Sequence, residues 1–315
     1  MALATSTKLD APSPATTRTA IKVRRRPSPG RVLAWILMGG VMVVTLFPFY
    51  WILRTALSTN TALAAHPASL LPADFSLGGF ARVFGLQSTK DALAQGGSGG
   101  SLDFWRYLLN SIFVSTLVTG CQVLFSAMAA YAFARLRWRG RDKVFGLVLA
   151  GLMVPAVFTL LPNFVLIKQL GLVDNLLGIA LPTMFMTPFA VFFLRQFFMN
   201  IPAEIEEAAL LDGAGKVRVF FRVILPMAGA PIATLSVLTY MTSWNDYFWP
   251  LMVSYSESSR VLTVALSIFR AQSPQSGVDW AGLMSATLVA ALPMLLLFAA
   301  FARRIINSVG FTGIK

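Results

Sequence analysis

Long apolar blocks separated by short basic loops constrain this chain more than any other feature. The first block, residues 32–53, is long enough to cross a bilayer, which takes about 20 helical residues. Further blocks follow at about 107–133, 144–167, 176–199, 227–249 and 282–302. Only 12% of the residues are charged, about half the share found in soluble domains. The pattern predicts an all-α integral membrane protein with six transmembrane helices.

The first block could also be read as a cleavable signal peptide, because Ala62-Leu63-Ala64 resembles a cleavage site. The apolar region of a signal peptide is about 7–15 residues long, which is shorter than this block. We therefore favour a membrane anchor, preceded by a disordered basic tail over residues 1–31. Residues 32–315 are predicted to form a single transmembrane domain, with long outer loops at 55–105 and 250–281 and a flexible Gly/Ser run at 96–101.

Basic residues are distributed unevenly among the loops. Nineteen Lys and Arg fall in the N-terminal tail, residues 135–143, residues 195–222 and the C-terminus, against seven in the alternate loops. Because basic residues accumulate on the cytoplasmic side of membrane proteins, both termini are expected to be cytoplasmic. The net charge of +13 then reflects orientation. It does not indicate nucleic-acid binding, because the cations do not lie along one soluble face.

Residues 200–226 are the most charged stretch between two apolar blocks, yet they are patterned as two short helices. Pro202 suits a first helical turn, and three glutamates follow at the positive end of the helix dipole. Gly213 is placed to end this helix in a left-handed conformation. A second, basic run at 214–225 is expected to close at Pro226. We expect a pair of cytoplasmic helices that a second protein could bind.

Polar side chains recur along the second apolar block. They are Asn110, Ser111, Ser115, Thr116, Thr119, Gln122 and Ser126. This stripe fits hydrogen bonding between helices and the lining of a solute path about equally well. Asp246 is the acidic residue nearest the interior of a block, and it is either a functional group or a packing residue beside an aromatic interface belt.

Motifs for catalysis and metal binding are missing from the sequence. One histidine and one cysteine exclude a disulfide framework and any thiolate or imidazole metal cluster. Gly213-Ala214-Gly215-Lys216 lacks the spacing of a P-loop. We therefore expect a chain that is not an enzyme, with no catalytic residue, no metal site and no cofactor of its own.

Residues 207–226 resemble the EAA motif of ABC importer permeases, EAA-x3-G-x9-I-x-L-P. Glu207-Ala208-Ala209, Gly213 and Leu225-Pro226 match it, and Val223 stands in place of isoleucine. Four other segments are similar to the maltose-type (MalG-like) carbohydrate permease family: Asn110-Ser111, residues 129–135, Met153-Val154-Pro155 and Trp244-Asn245-Asp246.

The resemblance implies a sugar or oligosaccharide importer subunit in a bacterial or archaeal plasma membrane. It implies a second homologous permease, two cytoplasmic ATPase subunits that hold ATP and Mg, and an extracellular solute-binding protein. The implied ATPase-coupling residues are Glu206, Glu207, Ala208, Ala209, Asp212, Gly213, Arg218 and Pro226. Candidate solute-path residues are Asn110, Ser115, Gln122, Trp244, Asn245 and Asp246. Candidate contacts to the binding protein are Arg260, Arg270 and Gln272.

Two alternatives to this interpretation stay open. An ion-coupled secondary carrier would work without an ATPase, but such carriers usually show more buried ionisable groups and an inverted repeat. The segment 200–226 could instead lie on the membrane surface as an amphipathic helix. Its acidic first turn would then be repelled by anionic lipid head groups. A membrane-embedded enzyme has no supporting residue set.

Overall fold

The structure is a computed structural model that describes residues 29–98, 102–271 and 277–310, with only the backbone described for 302–310. The regular secondary structure of these ranges is helical apart from one isolated bridge between Ser58 and Phe75. The α-helices are α1 (Pro29–Ala56), α2 (Asn60–Ala65), α3 (Gly78–Val83), α4 (Thr89–Ala94), α5 (Phe104–Arg135), α6 (Arg141–Ala150), α7 (Ala156–Gln169), α8 (Leu176–Ala180), α9 (Pro188–Met199), α10 (Ala203–Leu211), α11 (Lys216–Val219), α12 (Leu225–Met227), α13 (Gly229–Trp244), α14 (Phe248–Val253), α15 (Leu262–Ala271) and α16 (Trp280–Gly310).

Three of the described helices, α1, α5 and α16, are long and apolar enough to cross a membrane. Two bent pairs bring the number to five if each pair is one span. One pair joins Arg141–Met153 to α7 with a bend of 100°, and the other joins Lys216–Met227 to α13 with a bend of 81°. The all-α membrane fold is confirmed, whereas the count of six spans stays a prediction.

The fourth predicted block, 176–199, is not one helix. It is divided into α8 and α9, and α9 begins with Pro188 at its first position. Thr187 precedes it as the N-cap, and its hydroxyl accepts a hydrogen bond from the backbone N–H of Ala190 at 3.4 Å. A Thr-Pro pair is a strong start signal for a helix, and here that local signal interrupts a block that is continuous in hydropathy.

The described chain divides between Pro48 and Phe49 into two compact units. In the first unit, residues 32–48 of α1 carry a single polar side chain, Thr45. Its hydroxyl donates to the carbonyl of Val41 at 2.8 Å, so this polar group is satisfied within the helix, as a membrane requires. Residues 1–28 of the predicted tail lie outside the described part of the chain.

The second unit is built around α5, which packs against both α9 and α13. Small residues of α5, including Ala127 and Ala130, are fully buried there against Leu194 and Phe198 of α9. Side chains of this size let helices approach closely, which is how membrane helices gain packing energy. The position of α5 at the centre buries part of its polar stripe, namely Ser111, Ser115, Gln122 and Ser126, whereas Thr116 is exposed.

The connection at 55–105, predicted to be an outer loop, is more ordered than its composition predicts. It forms α2, α3 and α4, and the predicted flexible Gly/Ser run is wrong at its first residues. A Cβ at Gly97 would lie 2.9 Å from the Cζ atom of Arg82, and Ser98 is buried. Glycine is used here for close approach and not for flexibility. Residues 99–101 lie outside the described ranges.

The predicted outer loop at 250–281 also contains helical structure. Its helix α15 buries Leu262, Val264 and Phe269, and it contacts α5 and α16. Apolar residues at helical spacing form one buried face, so the segment is part of the folded core and not only a surface loop.

Candidate functional site

A cavity of about 280 Å³ lies between α5, α9 and α13, close to the turn that follows α8. Its polar lining residues are Ser111, Ser115, Gln122, Thr183, Thr187, Thr239, Thr242, Ser243 and Asp246. Apolar and aromatic side chains, including Phe189 and Trp244, complete its walls. Within the described lining, Asp246 is the one ionisable group. A cavity of this composition suits a solute rich in hydroxyl groups.

Gln122 connects the three helices around this cavity. Its Nε2 atom donates to the Oγ1 atom of Thr187 at 3.2 Å and lies 3.5 Å from the Oγ1 atom of Thr239. Ser115, about two turns earlier on α5, is buried, and its Oγ atom has no hydrogen-bond partner among the described residues. A buried hydroxyl without a partner is costly, so a ligand or water that bonded to it would be favoured.

The structure brings four of the six predicted solute-path residues to this cavity: Ser115, Gln122, Trp244 and Asp246. Asn110 is not among the lining residues, because its Nδ2 atom donates to the carbonyls of Ser258 and Arg260 at 2.9 and 2.8 Å. Asn245 also points elsewhere, donating to the carbonyl of Met241 at 2.9 Å. Neither residue therefore lines this cavity, and their contact with a solute stays a prediction.

The sequence did not single out the cavity threonines of the other helices. Thr183 and Thr187 lie in the block 176–199 and Thr239 in the block 227–249, so no single periodic stripe marks the three of them in the sequence. The Thr187-Pro188 pair was the one available signal, since a capping threonine has its hydroxyl held at a helix start. Only the packing of α9 and α13 on α5 reveals that these hydroxyls face one space.

Helix α10 of the segment 200–226 ends as predicted. Gly213 has φ of +81°, and its N–H donates to the carbonyl of Leu210 at 3.0 Å. The N–H of Ala214 donates to the carbonyl of Ala209 at 3.0 Å. These two bonds form a Schellman motif, which needs a residue that tolerates the left-handed conformation. At the other end, Pro202 is the N-cap and does not lie within the first turn as predicted.

The second predicted helix does not close at Pro226. It runs through α11, a π turn at Phe220–Ile224 and then α12, which contains Pro226. Proline lacks the N–H that would bond one turn back, and the wider π turn before it accommodates the missing bond. The chain bends instead around Ala228, where α13 begins.

One side of this segment is exposed and the other is buried. Glu207, Ala208, Asp212, Gly213, Arg218 and Pro226 are exposed, and Ala209 is partly buried. Leu211 is 88% exposed and Val217 is 72% exposed. On the opposite side, Phe220 and Ile224 are buried in the core that α5 and α9 form. The segment therefore presents apolar and charged groups together on its exposed side, while its opposite side is packed into the core.

Glu206 differs from the other predicted coupling residues. Its side chain is only 12% exposed, and its Oε1 atom accepts a hydrogen bond from the hydroxyl of Tyr131 on α5 at 2.8 Å. The Nε atom of Arg135 lies 3.8 Å from its Oε2 atom. The carboxylate is directed at α5 and not at the exposed face of α10.

Asp174 joins the turn between α7 and α8 to the predicted outer loop at 250–281. Its Oδ1 atom accepts hydrogen bonds from the hydroxyl of Ser259 and from the backbone N–H groups of Ser256 and Tyr255, the latter two at 2.8 and 2.9 Å. The Ser259 hydroxyl, followed by these N–H groups, holds the pKa of the Asp174 carboxyl well below its usual range.

Two of the three predicted contacts to a binding protein, Arg260 and Arg270, lie in the described part of the chain. Arg260 donates through Nη2 to the carbonyl of Tyr255 at 2.9 Å. The guanidinium of Arg270 lies 5.9 Å from the ring centre of Trp280, within range of a cation–π contact. Gln272 lies outside the described residues.

Comparison with known proteins assigns the chain to a family of transporters. Residues 122–310 match the family described as "Binding-protein-dependent transport system inner membrane component". The arabinooligosaccharides transport system permease protein AraQ of Halalkalibacterium halodurans is 30% identical over 93% of this chain and 100% of its own length. The diacetylchitobiose uptake system permease protein NgcG of Streptomyces coelicolor is 31% identical, over 85% of this chain and 83% of its own length.

The fold has a counterpart among solved structures. The crystal structure of a bacterial ABC transporter involved in the import of the acidic polysaccharide alginate matches with a TM-score of 0.72 at 23% identity. The match covers 86% of this chain and 95% of the other. The chain thus belongs to the family of inner membrane components of binding-protein-dependent transport systems, as a permease subunit of a carbohydrate ABC importer.

Proposed function

We propose that this subunit supplies one part of the solute path and couples it to cytoplasmic ATPase subunits through α10 and α11. The main observation in support of this proposal is the exposed face of these two helices. Leu211 and Val217 are exposed there beside the acidic Glu204 and Glu207 and the basic Arg218. Exposed apolar groups among charges of both signs are typical of a surface that binds a protein with complementary charges.

Coupling requires that movement of this surface reaches the cavity. The segment continues through α12 directly into α13, which lines the cavity with Thr239, Thr242 and Ser243. Its ring of Phe220 also packs on that of Tyr131 of α5, with centroids 5.3 Å apart. Two of the three cavity helices, α5 and α13, are therefore in contact with the segment. ATP-driven closure of the ATPases would shift the unit between states that differ in these contacts.

The cavity favours a carbohydrate as the solute. Hydroxyl and amide groups on three sides can exchange hydrogen bonds with sugar hydroxyls, and Trp244 offers an apolar ring face. Two relatives are named for oligosaccharides, arabinooligosaccharides and diacetylchitobiose. We propose that Ser115, Gln122, Trp244 and Asp246 contact a solute of this class during its passage.

The complete importer would comprise this chain, a second homologous permease, two ATPase subunits and an extracellular solute-binding protein. ATP and Mg²⁺ would be held by the ATPases, because the sequence of this chain has no P-loop. Both termini and the segment 200–226 would face the cytoplasm. The loops around Arg260 and Arg270 would then face outward, where a binding protein could dock.

Cysteine cross-linking tests the coupling role. In a Cys121→Ser background, Ala208→Cys on the exposed face of α10 should cross-link to an ATPase subunit in membranes that contain the whole importer. A matched control is Leu70→Cys, which is exposed but lies in the predicted outer loop. It should react with a membrane-impermeant thiol reagent from outside and should not reach the ATPase.

Two results would contradict the proposal. The first is that Ala208→Cys never captures an ATPase although the complex assembles. The second is that vesicles containing this chain alone take up an oligosaccharide under an ion gradient, which would instead support the carrier alternative.

A further inference from the structure

Three elements meet at the C-terminal end of α5, where a largely buried carboxylate and a guanidinium join them. Glu206 of α10 accepts from the Tyr131 hydroxyl and faces the Arg135 guanidinium, and the side chains of Arg135 and Glu206 are 10% and 12% exposed. Arg135 also donates through Nη2 to the carbonyl of Phe198 at 2.6 Å and to that of Ile201. The cluster of Tyr131, Arg135 and Glu206 thus connects α5, the end of α9 and α10.

The chemistry of this cluster makes it a rigid connection. Arg135 satisfies carbonyls at the C-terminal end of α9, where a cation is also favoured by the helix dipole. Charge-assisted hydrogen bonds in a partly buried site are stronger and more directional than exposed ones. Because water is largely excluded from the pair, separating the two charges would leave each of them poorly solvated.

Two neighbouring glutamates on α10 have opposite environments. Glu207 is exposed and is available to a partner, whereas Glu206 is directed inward to α5. Tyr131 and Arg135 are spaced by four residues on α5, so both lie on the face that meets α10. The two adjacent glutamates therefore differ in role: Glu207 is free to contact a partner protein, and Glu206 connects α10 to α5.

We infer that Glu206 is a positioning residue that makes α10 and the C-terminal end of α5 move as one body. This inference rests on the proposed function, since the movement would come from an ATPase docked on α10. In this arrangement Glu207 meets the partner, and Glu206 passes the displacement of α10 to the helix that lines the cavity. Glu206 itself does not contact the ATPase.

Distances between spin labels test this directly. In the assembled importer with Cys121→Ser, labels are placed at Glu204→Cys in the first turn of α10 and at Met128→Cys, an exposed residue on α5. The label-to-label distance is measured by pulsed electron spin resonance without nucleotide and with ATP plus vanadate. The parent protein should give the same narrow distance distribution in both conditions.

The cluster is then weakened without changing its shape. Adding Tyr131→Phe together with Glu206→Gln should make the distance depend on nucleotide, with a shift of about 2–5 Å, the size of helix displacements in switching proteins. Asp142→Asn, at an exposed carboxylate on α6 outside both the cluster and the segment 200–226, is the matched control and should leave the distance constant. A residue with only a structural role would change the yield of the complex without making this distance depend on nucleotide.

Two outcomes would overturn the inference. One is a label distance that already changes with nucleotide in the parent protein, and the other is a double variant that keeps the parent distance in both conditions. If the double variant does not assemble, the same distance measurement is made on Tyr131→Phe alone. This variant removes one hydroxyl and keeps the ring packed on Phe220. Failure of ATPase docking would appear separately, as loss of the Ala208→Cys cross-link.

Discussion

Gly213 shows how one residue sets the form of the coupling surface, by which we mean the exposed face of α10 and α11 that is proposed to bind an ATPase. Its φ of +81° costs a residue with a Cβ about 1–2 kcal/mol, and no atom within 4 Å would obstruct that Cβ. Gly213→Ala should therefore destabilise the end of α10 by about that amount and reduce the Ala208→Cys cross-link, whereas Gly213→Asn should recover part of it because asparagine tolerates this conformation. Thermal unfolding and cross-linking yield are the measurements.

Gly140 provides a control for that substitution. Its φ is +84°, and it too has open space around it, but it lies before α6 and outside the coupling segment. Gly140→Ala should lower stability to a similar extent and leave the cross-link unchanged. Equal loss of cross-linking in both variants would mean that general instability, and not the Schellman motif, governs docking.

Asp174 gives the outer loops a pH dependence whose sign follows from its lowered pKa. A carboxyl with a folded pKa below the ordinary 3.8 adds stability above that value and loses it as the pH falls through the folded pKa. The loops should therefore stay joined from neutral pH down to about 4. Asp174→Asn keeps the backbone at φ of +61° but removes the charge.

Hydrogen exchange at the amides of Tyr255 and Ser256 measures this effect. Exchange there should be faster in Asp174→Asn than in the wild type at neutral pH, while the amides of α5 stay unchanged. Equal protection in both proteins would show that the carboxylate does not hold the two loops together.

At the scale of elements, α3 is attached to α16 by a buried ion pair. Arg82 Nε lies 2.9 Å from Asp279 Oδ2, and Asp279 is only 1% exposed. Asn60, Ser98 and Gly282 also donate to this carboxylate. Removing one charge of a buried pair typically costs about 3–5 kcal/mol, whereas replacing both with apolar residues costs much less.

Asp279→Leu alone should therefore destabilise the protein more than Arg82→Met and Asp279→Leu together. Thermal unfolding of the purified chain in detergent measures the difference. If the loss of stability in the double variant equalled the sum of the losses in the two single variants, the two charges would not be coupled. The close contact of α3 with α16 at Gly79, where a Cβ would lie 2.4 Å from the Ser285 Oγ atom, should persist in all these variants.

The elements differ in how far the sequence alone predicts them. The hydropathy blocks predict α1, α5 and α16 because each is a long, uninterrupted apolar run. The breaks at Pro155 and at Thr187-Pro188 are local backbone effects that window hydropathy does not register. Contacts such as Arg82 with Asp279 join residues 197 positions apart, and no local periodicity carries that information. Four cavity residues were predicted, Ser115 and Gln122 on α5 and Trp244 and Asp246 at the end of α13, but none of the cavity threonines was.

At the scale of the whole molecule, the cavity and the coupling surface are separate sites joined by the same helices. Gln122 bonds across the cavity but takes no part in the surface of α10 and α11. Gln122→Leu should therefore lower uptake of the transported oligosaccharide while the Ala208→Cys cross-link to the ATPase is retained. A lost hydrogen bond of about 0.5–1.5 kcal/mol corresponds to about a two- to tenfold lower rate.

Thr119→Val is the matched control, because Thr119 lies one turn earlier on α5 and is not among the cavity-lining residues. Its hydroxyl is buried and lacks a hydrogen-bond partner within the described chain, so its removal should leave both uptake and stability intact. Uptake that falls equally in both variants would locate the effect in the packing of α5 and not in the cavity. Uptake that falls only with Gln122→Leu, with the cross-link preserved, would show that solute passage and ATPase docking can be separated in this subunit.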